Sequence, residues 1–213
     1  MCLWCKSISR KRHVAKVLLE TLAPKARSIR HAIPDLAQST IYSTVSNDVF
    51  HRLLGPNNPN FVCSEYFPGA GVGEQRGGVP HQNLEGLTFE NQAFDVVVSE
   101  DVFEHVRHPD RAFREVWRVL KPGGSHIFTI PFSFDRRTVL RVDTATDKDV
   151  HLLPAQFHGD SLRDGVLVYT DFGYDMFDHW SALGFSTAVS FWTQWDLRNY
   201  GIADSCVFVG RRS

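Results

Sequence analysis

From residue 8 to about 23 apolar side chains return at helical spacing, with Val14, Val17, Leu18 and Leu22 on one side, until Ala23-Pro24 ends the run. Thr40 to Val45 is a short β-branched and aromatic stretch that predicts a strand. Asp48 to Leu54 predicts a helix stopped by Gly55-Pro56, and Phe61 to Phe67 a second strand. Ala93 to Val98 is nearly continuous in apolar character, as in a strand covered on both faces of a parallel sheet. Asp101 to Leu120 then reads as helical through Val102, His105, Val106, Phe113, Val116 and Trp117, with Pro109 between two turns and Lys121-Pro122-Gly123-Gly124 as the stop. Ser125 to Pro131 predicts another buried strand, Asp175 to Leu183 a helix capped by Gly184, and Phe185 to Thr193 and Cys206 to Val209 the closing strands. Residues 132–172 are polar, without periodicity, and long for a loop in a compact domain, which marks a functional or disordered insertion. Strands alternating with helices predict one α/β domain over residues 1–213. Its Rossmann-like, doubly wound sheet is mostly parallel, with an antiparallel C-terminal strand.

Composition narrows the class of partner. The 23 Lys+Arg against 24 Asp+Glu leave a net charge of -1, so there is no global electrostatic case for nucleic acid or an anionic membrane. No apolar run approaches the ~20 residues of a membrane helix, and the four cysteines are too scattered for a disulfide framework. A soluble, cytoplasmic protein with a small-molecule substrate is the expectation. Residues 1–39 are a basic helical extension, read as an amphipathic helix in preference to a transit peptide. Cys2 and Cys5 have zinc-knuckle spacing, with His13 the nearest further ligand, but a closed site needs four ligands.

Gly69, Gly71 and Gly73 in PGAGVGEQRGG look like a nucleotide loop, yet chain length argues otherwise. A nucleotide-binding half that began there would need about 45 residues before the run at Phe94, and only 20 separate Gly73 from Ala93. The first strand is therefore Thr40 to Val45, and the glycines lie after the second. Ligands of such sheets sit beyond the carboxyl ends of the strands, where Glu65 is placed to take the two hydroxyls of a ribose.

The segment AFDVVVSEDVFEHVRHPDRAFREVWRVLKPGGSHIFTIPF, residues 93–132, resembles the core of class I S-adenosylmethionine-dependent methyltransferases of the methyltransferase-11 type. The resemblance implies a seven-stranded sheet, S-adenosyl-L-methionine as cofactor and methyl transfer to a small acceptor, O- or N-methylation being the expectation here. By position it implies that Glu65 binds the ribose, with Tyr66 on the adenine side. Asn83 and Leu84 meet the adenine, and Ser99 and Glu100 stand beside the methionine portion. Family members carry a glycine-rich loop after the first strand, and here Thr44, Val45, Ser46, Asn47 and Asp48 stand in that place. The missing glycines mean a loop of different shape, a weaker cofactor, or none. If none, the fold would be reused for a metal- or His-assisted cyclisation, elimination or hydrolysis, or as a non-catalytic partner subunit.

Asp101, Glu104 and His105 stand at i, i+3 and i+4, so on a helix all three project from one face, a set able to hold a divalent metal ion. The pattern resembles the ExxEH metal element of some O-methyltransferases, and His151 or His158 could add a ligand from the insertion. The alternative is acid/base work by His105, with Glu104 and His158 beside it, on a hydroxyl or amine nucleophile. Asp171-Phe-Gly173 is taken as a chance match to a kinase motif, since nothing else of that set is present.

Overall fold

The computed structural model describes residues 7–159 and 165–213, so the expectation at Cys2 and Cys5 lies outside the described residues. The central sheet has strands β1 (Ile41–Ser43), β2 (Phe61–Cys63), β3 (Phe94–Glu100), β4 (Leu120–Thr129), β5 (Phe185–Phe191) and β6 (Cys206–Arg212), in the order β5-β6-β4-β3-β1-β2. β2, β1, β3 and β4 are parallel, and β6 runs antiparallel to both of its neighbours. The expected class of sheet is present, with six strands among the described residues where the resemblance implied seven. Between β2 and β3 the chain forms only an isolated bridge, Glu65 with His81, and a small hairpin, Gln75–Arg76 with Val79–Pro80. Gly77 and Gly78 turn that hairpin at φ of 59° and 81°, a conformation that favours glycine at both positions.

Alternation along the strands divides the core in two. Val96, Val98, Ile127 and Val207 face α1 (Ser9–Leu22), α2 (Ile29–Leu36) and α3 (Val49–Leu54), packing on Val14, Leu18, Ala32, Leu36 and Phe50. Val97, Phe128 and Phe208 face α4 (Pro109–Val119) and α5 (Met176–Ala182), where Phe113, Phe172 and Trp180 fill the layer. Both faces of β3 are thus buried, as its apolar run requires. The residues expected as an N-terminal extension form two of the three helices that cover one face of the sheet. α2 was not foreseen, because Pro34 sits inside it; its N-cap is Ser28, whose hydroxyl accepts from His31 N at 3.3 Å. A last helix, α6 (Gln194–Tyr200), opens on a capping box between Thr193 and Asp196.

β1 keeps only Ile41–Ser43 of the expected Thr40 to Val45, and two further predicted elements are shorter than the sequence suggested. β2 stops at Cys63, because Glu65 leaves the ladder to pair with the His81 segment. The expected helix from Asp101 is broken into a 3-10 turn, Phe103–His105, and α4. Asp101 has φ of 49° and Val106 is extended, so the chain bends twice before Pro109 opens α4 at its first turn. β4 begins at once after α4, with a bulge in its register against β3. A Cβ on Gly124 would lie 2.9 Å from Lys121 O and 3.0 Å from Asp95 O, which is why glycine stands there. The described residues of the 132–172 segment include two-residue ribbons, among them Val142–Asp143 with Val150–His151 and Phe157–His158 with Val166–Leu167. No helix among the described residues is long and apolar enough to cross a membrane.

Candidate active site

The carboxyl ends of β1, β2 and β3 converge on a cluster of acids. After β1, Thr44 N still donates to Val98 O at 3.1 Å, and the Ser46 backbone N–H and hydroxyl then both donate to Glu65 Oε1, at 2.8 and 3.0 Å. Glu65 is therefore held by the loop that lacks glycines, through a side chain and an amide together. Val45 is half-buried beside Ser46, and its N–H donates to Ser43 Oγ at 3.4 Å. Asp48 caps α3 by accepting from His51 N at 2.8 Å. Its other oxygen accepts from Lys11 Nζ at 2.9 Å, and the same ammonium donates to Glu100 Oε1 at 2.7 Å. Burial works against the charge of Lys11, but the two carboxylates more than offset it and its pKa is raised. Lys11 carries no motif signal, since its partners are 37 and 89 residues away.

The residues expected on the adenine side are distributed differently. Tyr66 is exposed, its ring 5.4 Å from that of His81, whose Nδ1 accepts from Phe67 N at 3.0 Å. Asn83 uses its own Oδ1 to accept from Glu85 N at 2.9 Å, closing a local turn. Leu84 packs into the α4 side of the core. Ser99, expected beside the methionine portion, points into that same core, where its hydroxyl pairs with His126 Nε2 at 2.8 Å. The reason is strand alternation: Ser99 shares a face with Val97, and Glu100 shares the other with Val98. Burial drives the His126 pKa down to about 3, so the imidazole is neutral.

The 3-10 turn separates the four residues expected to share a metal. Asp101 accepts from Thr129 Oγ1 at 2.8 Å and pairs with Arg10 Nη1 at 2.5 Å, so it faces α1 and β4. Glu104 is 1% exposed and neither of its carboxylate oxygens has a hydrogen bond. Its Oε1 lies 3.6 Å from His105 Nε2 and 3.6 Å from His158 Nδ1. Burial, aided by the charge of Asp101, lifts the Glu104 pKa to about 8. The cluster of Glu104, His105 and His158 keeps one ligand atom from each within 4.8 Å of the others.

The insertion sets this geometry. His105 Nδ1 lies 2.8 Å from Leu167 O, so Nδ1 carries the proton and Nε2 is the basic atom turned to Glu104. His158 comes from the ribbon strand paired with Leu167, and Tyr169 N donates to Glu104 O at 2.8 Å. The exposed His151 lies on the other ribbon, outside the cluster. Tyr169 was not foreseen; its hydroxyl donates to Asp149 Oδ2 at 2.7 Å, and burial followed by that bond pushes its pKa up to about 12.

Two cavities flank these clusters without being lined by Glu65 or Glu104. One of about 600 Å³ lies within the insertion, among Phe132, Phe134, Arg136, Arg141, Gln156 and Asp171. Gln156 Nε2 is 3.3 Å from His158 Nε2, which connects this cavity to the histidines. The other, about 470 Å³, is formed by α1, α2 and α3 with Trp195 and Tyr200. Lys11, the partner of Asp48 and Glu100, stands in its wall, but none of Glu65, Glu100 and Glu104 lines that hollow.

Residues 63–128 match a family model described as a methyltransferase domain. Over 53 residues the chain is 47% identical to a glycine/sarcosine/dimethylglycine N-methyltransferase of Actinopolyspora halophila, a match that covers 25% of this chain and 9% of that protein. Over 42 residues it is 50% identical to a ubiquinone/menaquinone biosynthesis C-methyltransferase of Bartonella tribocorum, covering 20% of this chain and 16% of that one. The chain therefore matches only a small part of the length of these relatives. The crystal structure of an S-adenosylmethionine-dependent methyltransferase from Mesorhizobium loti aligns at a TM-score of 0.52 and 16% identity, covering 86% of this chain and 95% of that chain.

Proposed function

We propose that this chain, whose central segment matches a methyltransferase domain and whose fold is shared with an S-adenosylmethionine-dependent methyltransferase, is a class I enzyme of that kind and transfers a methyl group to a small hydroxyl or amine acceptor held by the 132–172 segment. The observation that carries the reading is the convergence of Glu104, His105 and His158 at the end of β3, one strand from the Ser46-Glu65 pair at the end of β1 and β2. The cofactor fits the residues present. Glu65 offers a carboxylate already oriented by Ser46, and Thr44 Oγ1 and Glu100 Oε2 are buried polar atoms without a partner at the same strand ends. When bound, S-adenosylmethionine supplies an electrophilic methyl group on a sulfonium.

The chain supplies the rest. The basic Nε2 of His105 accepts the acceptor's proton, and the Leu167 carbonyl behind Nδ1 stabilises the imidazolium that forms. Glu104, buried beside both imidazoles, stabilises that positive charge in its ionised form, which is favoured above about pH 8 in the metal-free chain. The phenyl rings of Phe132 and Phe134 wall the acceptor cavity. Glu104, His105 and His158 are also a chemically suitable donor set for a divalent ion of the zinc, manganese or iron class, which would polarise an acceptor oxygen. The glycine-free loop after β1 favours a second reading, a metal- or His-assisted reaction without methyl transfer.

Calorimetry with S-adenosylmethionine and S-adenosylhomocysteine separates the two. Binding of either supports methyl transfer, and failure of both at millimolar concentration excludes it in favour of the second reading.

A further inference from the structure

We propose that Lys11 and Glu100 form a side-chain clamp for the α-amino acid end of the methyl donor, replacing the backbone amides of the glycine loop that this chain lacks. The inference rests on the proposed use of S-adenosylmethionine and deepens it.

The argument begins with atoms that have unmet capacity. An ammonium carries three N–H donors, and Lys11 uses its Nζ on Asp48 Oδ2 at 2.9 Å and on Glu100 Oε1 at 2.7 Å, which leaves one. Glu100 Oε2 is buried without a partner, and so is Thr44 Oγ1 on the loop after β1. Each unmade bond on a buried group is costly, so a ligand that completes them is favoured. The missing partners are one acceptor for Lys11, a donor for Glu100 Oε2 and a partner of either kind for the Thr44 hydroxyl. An α-amino acid zwitterion carries both kinds on a single carbon, its carboxylate for Lys11 and its ammonium for Glu100 Oε2.

Charge selects the same ligand. Asp48 and Glu100 together outweigh Lys11, so the cluster is net negative when all three are ionised. A simple anion is repelled by it, whereas a neutral zwitterion joined to a cationic sulfonium is not. Position agrees as well. Lys11 belongs to α1, but its tip lies where the carboxyl ends of β1 and β3 meet, the edge at which ligands of this topology bind. Glycines let a ligand approach the backbone closely, and a loop built of Thr44, Val45 and Ser46 cannot offer that approach. A long cationic side chain entering from the opposite layer restores a donor at that place.

The test compares S-adenosylhomocysteine with 5′-methylthioadenosine, which share the adenosine and differ in the amino acid. By calorimetry the unaltered chain binds the first about tenfold or more tightly than the second. In Lys11→Met and in Glu100→Gln that preference disappears, with methylthioadenosine affinity unchanged. If Lys11→Met loses its thermal transition, Glu100→Gln, which keeps the shape of the side chain, carries the comparison. A preference that survives both substitutions overturns the clamp, as does an equal loss for both ligands, which signals a structural role only. If the unaltered chain binds neither compound, the methyl-donor reading fails and the clamp with it.

Discussion

Ser46 and Glu65 come from different strand ends, and Ser46 approaches the carboxylate with both its amide, at 2.8 Å, and its hydroxyl, at 3.0 Å, on the single atom Oε1. One oxygen of Glu65 is thereby committed to the fold and the orientation of the other is set. Under the proposed function Glu65→Gln lowers S-adenosylhomocysteine affinity by about tenfold or more, because a hydrogen bond to a charged group contributes roughly 1.5–3 kcal/mol. Ser46→Ala removes one of the two bonds and costs about 1 kcal/mol of stability, with a smaller loss of affinity. Calorimetry and thermal melts on the two variants separate these effects, and an unchanged affinity in Glu65→Gln removes Glu65 from the ribose site.

Glu104 gives a pH signature to the metal-free protein. Its pKa is raised to about 8 in the folded state from the ordinary 4.5, so the folded chain holds this proton more tightly than the unfolded one. The stabilisation is complete below about pH 4.5 and is lost as pH rises towards 8, on the order of a few kcal/mol in all. Glu104→Gln keeps the shape and removes the titration. Melting in the presence of a chelator falls less steeply between pH 5 and 8 for this variant than for the unaltered chain. Parallel curves would show that Glu104 is ionised throughout.

If Glu104, His105 and His158 hold a cation, adding zinc or manganese at pH 8 raises the melting temperature by ~5 °C or more at saturating concentration. His158→Ala abolishes this rise, while His151→Ala, on the neighbouring ribbon, leaves it intact. A rise of equal size in all three proteins points to binding elsewhere.

Gly124 tests the junction of α4 and β4. Alanine there brings its methyl group to within 3.0 Å of backbone oxygens on two segments, Lys121 and Asp95, which cannot move independently of the sheet. Denaturant unfolding of Gly124→Ala is expected to show a loss of about 1–3 kcal/mol. Gly123→Ala is strained for a different reason, its φ of 78°.

The parts of the fold that were legible are those in which a long local pattern coincides with burial. Val96, Val97 and Val98 alternate between two covered faces, and the run reads as a buried strand because both faces are apolar. The spacing of Asp101, Glu104 and His105 suits a helical face, but Asp101 sits at positive φ, a backbone choice that spacing does not encode. Glu104 and His105 stay together because they are adjacent in one turn, and Asp101 leaves to meet Arg10. His158 was readable as a candidate ligand from a polar insertion, but with His151 as an equal alternative. Its place beside Glu104 depends on a ribbon with two residues per strand, too short to leave a period. Lys11 was invisible for a similar reason, since a cation on the polar side of an amphipathic helix looks solvated until its partners on another layer are known. The capping box of Thr193 and Asp196 is legible in the sequence as the spacing of a threonine and an acid three residues on.

The placement of β6 between β4 and β5 also governs when the molecule can form. A ribosome that has released residues 1–200 has delivered β1 to β5, yet β5 has no neighbour in the sheet except β6. Phe208 of that last strand lies against the rings of Phe128, Phe132 and Trp180, and Arg212 stacks on Trp117 while donating to the carbonyls at the end of α4. The half of the core that carries α4 and α5 therefore waits for the final residues of the sheet to be synthesised. Until then Phe128 and Trp180 lack the ring that covers them in the finished sheet.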